Sequence, residues 1–191
     1  HDVSVFMVLQ AALAALLTRL GAGTDIPIGS PVAGRDDAAL DDLVGFFVNT
    51  LVLRTDTSGD PAFAELLARV REANLAAYEN SDLPFEYLVE IANPARSMSR
   101  HPLFQVMLAY QSGAGPRLAM EGLAAEREPV AAPGGKFDLA LEFRDPGQSA
   151  AGSGGGAMRC VVDYSRDLFD EATVRNLALR LERLLAAAAA D

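Results

Sequence analysis

The stretch that most constrains this chain is Val44-Gly45-Phe46-Phe47-Val48-Asn49-Thr50-Leu51-Val52-Leu53-Arg54. Gly45 lets the backbone turn tightly or approach another segment closely. Two adjacent phenylalanines then place apolar volume on either side of the chain, and a β-rich run follows. In a strand, Val48, Thr50 and Val52 share one side, and Asn49, Leu51 and Leu53 the other. An amide set among leucines must find hydrogen-bond partners or cost about 1–3 kcal/mol. Asn49 either stitches a neighbouring loop to the strand or faces a substrate channel beside it, and spacing alone allows both.

The 191 residues are 50% apolar and 22% charged, enough for one globular domain with a full core. The formal charge of −10 argues against wholesale nucleic-acid binding, which needs a basic surface to displace counterions. The single cysteine, Cys160, excludes an intrachain disulfide framework, and no Cys/His cluster has metal-ligand spacing. A reducing cytoplasm is the natural compartment. No stretch reaches the roughly 18 apolar residues of a membrane span. The chain opens on His1 without an initiator Met and enters a buried-type helix at once, which reads as a piece cut from something longer.

Ser4 caps a predicted helix over about 5–20, apolar around most of its circumference and stopped by Gly21. Residues 24–32 read as a strand that Pro27 places at an edge or at a bulge. A turn at 33–37 and the aspartates up to Asp42 form a solvated acidic loop, because the ligand spacing and glycine of a calcium loop are missing. Asp60-Pro61 signals a helix start, followed by a stripe of Phe63, Leu66, Leu67, Val70, Ala73 and Ala77. Glu65 and Arg69 form an i, i+4 pair.

Residues 80–84 break that helix. A shorter one follows, with Phe85, Leu88 and Val89 expected in the core, and Asn93-Pro94 ends it. A basic elbow at 96–102 leads into a strand over 103–110. His101 within it has no orienting partner nearby in sequence and reads as a surface or hinge residue. Short strands are expected over 118–130 around Gly122. Phe137, Leu139, Leu141 and Phe143 form the apolar face of a half-exposed strand. A Gly/Ser-rich loop fills 145–156, and Met158, Cys160, Val162 and Tyr164 line a further strand, with Cys160 read as a small buried hydrophobe. Asp170 caps a last helix with Val174, Leu177, Leu181 and Leu184 inward. The sum is α+β, with strands in largely one sheet and helices packed on one face.

Four stretches, in order, resemble motifs of the condensation domains of nonribosomal peptide synthetases. Ile28-Gly29-Ser30-Pro31-Val32-Ala33-Gly34-Arg35 is similar to Ile-Gly-x-Pro-x-Ala-Gly-Arg, and the run from Gly45 to Arg54 to Ile-Gly-x-Phe-Val-Asn-Thr. Asp82-Leu83-Pro84-Phe85-Glu86-Tyr87-Leu88-Val89 resembles His-Gln-Asp-x-Pro-Phe-Glu-x-Leu-Val, with Asn80-Ser81 in place of His-Gln. Ser99-Arg100-His101-Pro102-Leu103-Phe104-Gln105-Val106 resembles Ser-Arg-x-Pro-Leu-Phe-Gln-Val, preceded by Arg96-Ser97 where the family has Arg-Asp. The family's His-His-x-x-x-Asp-Gly signature, which carries its catalytic histidine, is absent from these residues.

The resemblance implies a chloramphenicol-acetyltransferase-like lobe of mixed or mostly antiparallel sheet packed with helices. Residues 1–191 would be the carboxy-terminal of two lobes that meet in a V around a tunnel. There an acceptor amine attacks a donor thioester to make a peptide bond. Both substrates arrive on phosphopantetheine arms of carrier proteins, with no cofactor bound directly and no metal. Implied partners are the amino-terminal lobe, donor and acceptor peptidyl carriers and an adjacent adenylation domain, with no nucleic acid and no membrane. Candidate tunnel or lobe-interface residues are Phe46, Phe47, Asn49, Thr50 and Arg54. Gly45, Pro84, Phe85, Arg100, Pro102 and Phe104 are motif residues with structural roles. No catalytic residue is assigned. The rival reading is a non-catalytic condensation-like module that docks carriers or a tailoring enzyme, and a complete small acyltransferase using His101 is disfavoured by that residue's setting.

Overall fold

The computed structural model describes residues 2–35, 37–95, 97, 100–113, 123, 135–145 and 157–190. Its elements run α1 (Val5–Arg19), β1 (Asp25–Val32), a 3-10 turn (Ala38–Leu40), β2 (Asn49–Asp56), α2 (Phe63–Tyr78), α3 (Phe85–Ala92), β3 (Val106–Ser112), β4 (Leu139–Asp145), β5 (Arg159–Tyr164) and α4 (Glu171–Ala190). One mixed sheet has the order β2-β1-β3-β4-β5. The outer pairs β1–β2 and β4–β5 are antiparallel, and the inner pairs β1–β3 and β3–β4 are parallel. This is the α+β class expected from the alternation of patterns. Of the strands expected over 118–130 only residue 123 is among the described residues, and most of the Gly/Ser-rich loop lies outside them.

The all-round apolar character of α1 has a direct cause. One side packs with the sheet and α4, where Leu9, Leu13 and Leu16 meet Ile28, Leu108, Leu141 and Leu181. Its other side packs on α2, where Met7 and Ala11 meet Leu66, Leu67 and Val70. Each fully buried leucine contributes about 1.5–3 kcal/mol, so α1 is the helix around which the layers assemble. Ser4 caps it by accepting from the Met7 amide. Asp170 does the same for α4, accepting from the Thr173 amide at 2.6 Å. That bond holds its carboxyl below the usual range.

A polar relay crosses this interior. Asn74 Nδ2 donates to Gln10 Oε1 at 2.6 Å, and Gln10 Nε2 donates to Thr55 Oγ1 at 3.0 Å, joining α2, α1 and β2. The helical stripe read for α2 omits Asn74, because an amide in a buried position is recognisable only once its partners are known.

Three local expectations change. β1 is interior rather than an edge, because its ladder with β3 is confined to Ile28 and Gly29. Pro27 and Pro31 fall outside that stretch, so neither withdraws a donor from it. Helix α2 starts at Phe63, after an Ala62 cap that makes no side-chain bond. Asp60 has a left-handed φ of 48°, incompatible with the extended backbone of a capping residue. Cys160 is exposed, since β5 is the outer strand of the sheet. Desolvation still pushes its thiol up to about 11, which keeps it protonated.

Candidate functional site

Between β1 and β2 the chain makes a braced excursion. Gly34 has a φ of +61°, and a Cβ there would lie 2.0 Å from the Phe47 carbonyl oxygen, so only glycine fits. The Arg35 guanidinium lies 4.2 Å above the Phe47 ring. It also donates to the carbonyls of Leu40 and Leu43, the latter at 2.7 Å. Asp37 accepts from the Ala39 amide at 2.9 Å and fixes the 3-10 turn. With Phe47 held inward, Phe46 is forced out and is 90% exposed, beside Val44 at 105%. Leu43 and Val48 are exposed as well. An ordered loop thus presents an apolar crest to solvent.

Asn49 follows at the first position of β2. Its Nδ2 donates to the carbonyls of Ser81 and Leu83, both at 2.8 Å. Its Oδ1 accepts from the Thr50 amide at 2.8 Å and the Phe85 amide at 3.1 Å. Donors and acceptor are all spent, so the side chain has no hydrogen bond left for a substrate. It stitches the α2–α3 connection to β2. It also caps α3 from a distance, where Pro84 at the cap position offers no side-chain bond.

Phe85 is half-buried rather than a core residue, and so is Leu88. The reason is the company Phe85 keeps. Its ring stacks on His101 at 5.3 Å and meets Phe104 edge-on at 5.9 Å, in a cluster completed by Phe137. Phe104 is fully buried against β1, and a Cβ on Gly29 would fall 2.2 Å from its ring. Gly29 is therefore the notch that seats Phe104.

His101 is a member of this cluster rather than a surface hinge. Its Nδ1 is buried without a partner. Desolvation lowers its pKa below 6.5, against a smaller opposing hydrogen bond with the Phe104 backbone. A neutral ring wedged among phenylalanines, with no carboxylate orienting it among the described residues, is poorly set up as a general base.

The sequence candidates thus divide. Gly45, Phe46, Phe47, Asn49 and Thr50 share one end of β2 with Pro84 and Phe85, and Phe104 adjoins through the ring cluster. Arg54 belongs elsewhere: five residues further along β2, about 17 Å at strand rise, it pairs with Asp25 through Nη2 at 2.5 Å. Arg100 and Pro102 are exposed and line an open cleft with His101 and Gln105. Sequence reasoning missed the Arg35–Phe47 brace and the place of Phe137. The first was signalled by Arg35 closing the Gly34-Arg35 motif. The second had no local signal. Among the described residues no group of side chains could hold a metal ion.

The sheet has a second surface. Leu139, Leu141 and Phe143 of β4 face the helices, while the alternate residues Ala140 and Glu142 are half-exposed. Met107 and Ala109 of β3, Val161 of β5 and Thr50 and Val52 of β2 are also half-exposed. Apolar surface therefore remains both on this crest and on this face of the sheet.

The Condensation domain family matches residues 1–191 in full. The chain belongs to the condensation-domain family. Among its relatives is the dimodular nonribosomal peptide synthase of Bacillus subtilis (strain 168), 60% identical over 100% of this chain and 8% of that protein. Another is the isonitrile lipopeptide synthase of Mycobacterium tuberculosis (strain ATCC 25618 / H37Rv), 45% identical over 100% of this chain and 8% of the relative. The chain therefore spans under a tenth of these curated relatives.

The solved complex of the X-domain and OxyB from teicoplanin biosynthesis is similar at a TM-score of 0.86 and 35% identity, over 100% of this chain and 41% of that one. A holo four-domain nonribosomal peptide synthetase bound to AMP and glycine matches at a TM-score of 0.83 and 23% identity, over 98% of this chain and 15% of that one, a likeness of fold. The condensation fold accounts for the mixed sheet with its helices gathered on one face.

Proposed function

We infer that residues 1–191 are the carboxy-terminal lobe of a condensation domain and form one wall of a tunnel in which an acceptor amine attacks a donor thioester. The observation that carries this reading is the apolar crest of Leu43, Val44, Phe46 and Val48, held rigid from behind by Arg35 and Phe47 yet covered by nothing described. Apolar surface that is both ordered and exposed marks an interaction site. The matched X-domain chain extends well beyond the 41% that this chain covers, which leaves room for the neighbour this reading calls for, an amino-terminal lobe.

On this reading Phe46 and its neighbours seat against that lobe, and Thr50 and Val52 belong to the wall. Asn49 supports the wall through the α2–α3 connection. The substrates ride on phosphopantetheine arms of donor and acceptor carrier proteins, an adenylation domain adjoins, and no cofactor binds this lobe itself. Among the described residues no helix is long and apolar enough to cross a membrane, and the compartment is the cytoplasm.

The chemistry fits a lobe without an assigned catalytic residue. A free amine is already a competent nucleophile, so much of the acceleration comes from aligning two tethered chains, worth up to roughly 7–11 kcal/mol in favourable intramolecular cases. One wall alone fixes no alignment. The test loads donor and acceptor carriers and follows dipeptidyl product by intact-protein mass spectrometry. This chain alone should give none, and the two-lobe domain should give product. Product from the chain alone, above a carrier-only background, would overturn the reading and return attention to His101.

A second reading is favoured by the likeness to an X-domain in complex with OxyB: a condensation-like lobe that docks a tailoring enzyme. A two-lobe domain that retains a tailoring enzyme on a sizing column while forming no dipeptide would select it.

A further inference from the structure

Helix α3 is held to the lobe by few attachments. None of its residues is buried, and none of its side chains belongs to the core packed around α1. Asn49 ties down its start, through the carbonyls of Ser81 and Leu83 and the Phe85 amide. The other attachment is the Phe85 ring, which stacks on His101 at 5.3 Å between centroids and 30° between planes. An element with so little buried apolar contact opens at a lower cost than the domain unfolds.

His101 is the polar member of its cluster. Phe104 lies 4.1 Å and Phe137 5.2 Å from its ring, and its Nδ1 is buried without a hydrogen-bond partner. Gln105 Nε2 donates to the His101 carbonyl at 3.0 Å, which fixes the backbone and leaves the ring to packing. The charged groups on the elements around it are Arg100 on its own elbow, Glu86 and Glu90 on α3, and Lys136 and Asp138 beside Phe137. None of these charges moves the imidazole's pKa, which desolvation lowers and a hydrogen bond with the Phe104 backbone raises by less. An imidazolium formed there would place a charged N–H among three phenylalanine rings, a burial that costs free energy. An open cleft of about 430 Å³ adjoins the ring, lined also by Arg100, Leu103 and Gln105, and gives it a way out to water. Phe104 has no such exit, being fully buried against Gly29.

We propose that His101 is a proton-sensitive latch for α3: taking up a proton drives its ring out of the phenylalanine cluster into the cleft, and α3, left on the Asn49 stitch, undocks while the rest of the lobe stays folded. Once undocked, the imidazole meets solvent and its pKa returns to 6.5, above the docked value. Docking is thus fully supported above 6.5 and weakens as pH falls from there toward the docked pKa. The motif Ser-Arg-x-Pro sets no residue at this position, so the latch is a feature of this chain.

In the full chain, amide exchange of residues 88–92 is read by NMR and expressed against an unstructured peptide at the same pH. It should quicken up to about tenfold between pH ~7.5 and ~5.5, while amides of α1 stay far slower at both. In His101→Phe, which keeps a ring in the stack and takes no proton, the α3 rates should be flat with pH. The proton titration of the His101 ring in the wild type is the second measurement, with a midpoint below 6.5 expected, and it stands whether or not that variant folds. Rates at α3 that ignore pH while the ring titrates, that quicken equally in His101→Phe, or that match those of α1 overturn the proposal. So does a ring midpoint at or above 6.5.

Discussion

Along β2 the two faces are built for different ends. Leu51, Leu53 and Thr55 are buried beneath helices, and Thr55 is tied to Gln10. Thr50 and Val52, one residue out of phase, stay half-exposed, and the loop leading into the strand lifts Phe46 into solvent. The helical face is buried by helices of this chain, and its buried amides and hydroxyls are joined in the Asn74–Gln10–Thr55 relay. The other face has order without cover. On its side the Arg35–Phe47 brace is spent on holding the shape of the loop, while the Asn49 stitch, in phase with Leu51 and Leu53, ties the helical side to the α2–α3 connection.

Substitutions can break or sharpen that contrast. The largest effect is expected where the two faces lock together. Phe104→Ala empties the notch at Gly29 and should cost about 3–5 kcal/mol in a denaturant melt of the isolated chain. Less should be lost in Phe85→Ala than the same range for a buried ring would give, because Phe85 is only half-buried. Asn49→Ala leaves two carbonyls and the Phe85 amide seeking water, for a loss of about 1–3 kcal/mol. Protease cleavage should rise first in residues 79–84, which that amide ties down.

A smaller effect is expected from pH. The folded pKa of His101 lies below its unfolded value of 6.5. The unfolded chain therefore binds the proton more readily, and the contribution is fully present above 6.5 and lost as pH falls toward the folded pKa. His101→Phe should flatten that part of the stability profile, and an unchanged profile would mean the ring is not desolvated in solution. The smallest effect belongs to Phe46→Ser. It should alter the isolated chain by no more than about 0.5 kcal/mol while weakening association with an added amino-terminal lobe. A large loss in the isolated chain would show that the crest packs within this lobe.

Much of the fold was legible from periodicity. The stripes of α2 and α4, the alternation of β4 and the caps at Ser4 and Asp170 are local signals, and local physics decided them. What was not legible depended on partners far along the chain. Asn74 is a polar residue in an apolar stripe until Gln10, sixty-four positions away, receives it. His101 looked like an elbow residue because its ring partners Phe85, on α3, and Phe137, just ahead of β4, lie far from it along the chain. Pro27 suggested an edge, since sequence does not reveal how short a ladder a neighbour will make. Of the candidate site, the motif residues around Gly45 and Asn49 stood out in sequence, but the contacts that set their separate parts did not. Asn49 holds scaffold rather than substrate, and Arg54 lies at the far end of its strand.

The brevity of the β1–β3 ladder has a mechanical consequence. The sheet is two stiff plates, β2-β1 and β3-β4-β5, joined along a seam that only Ile28 and Gly29 bridge by register to Val106 and Met107. A seam with so few rungs resists twisting poorly, and its stiffness must come from elsewhere. The Phe104 ring, seated in Gly29 at that very line, acts as a bolt through the joint. Rotation of one plate against the other would have to draw that bolt, so the angle between the crest-bearing plate and the plate that carries Glu142 is set by a single aromatic side chain and the α1 core behind it.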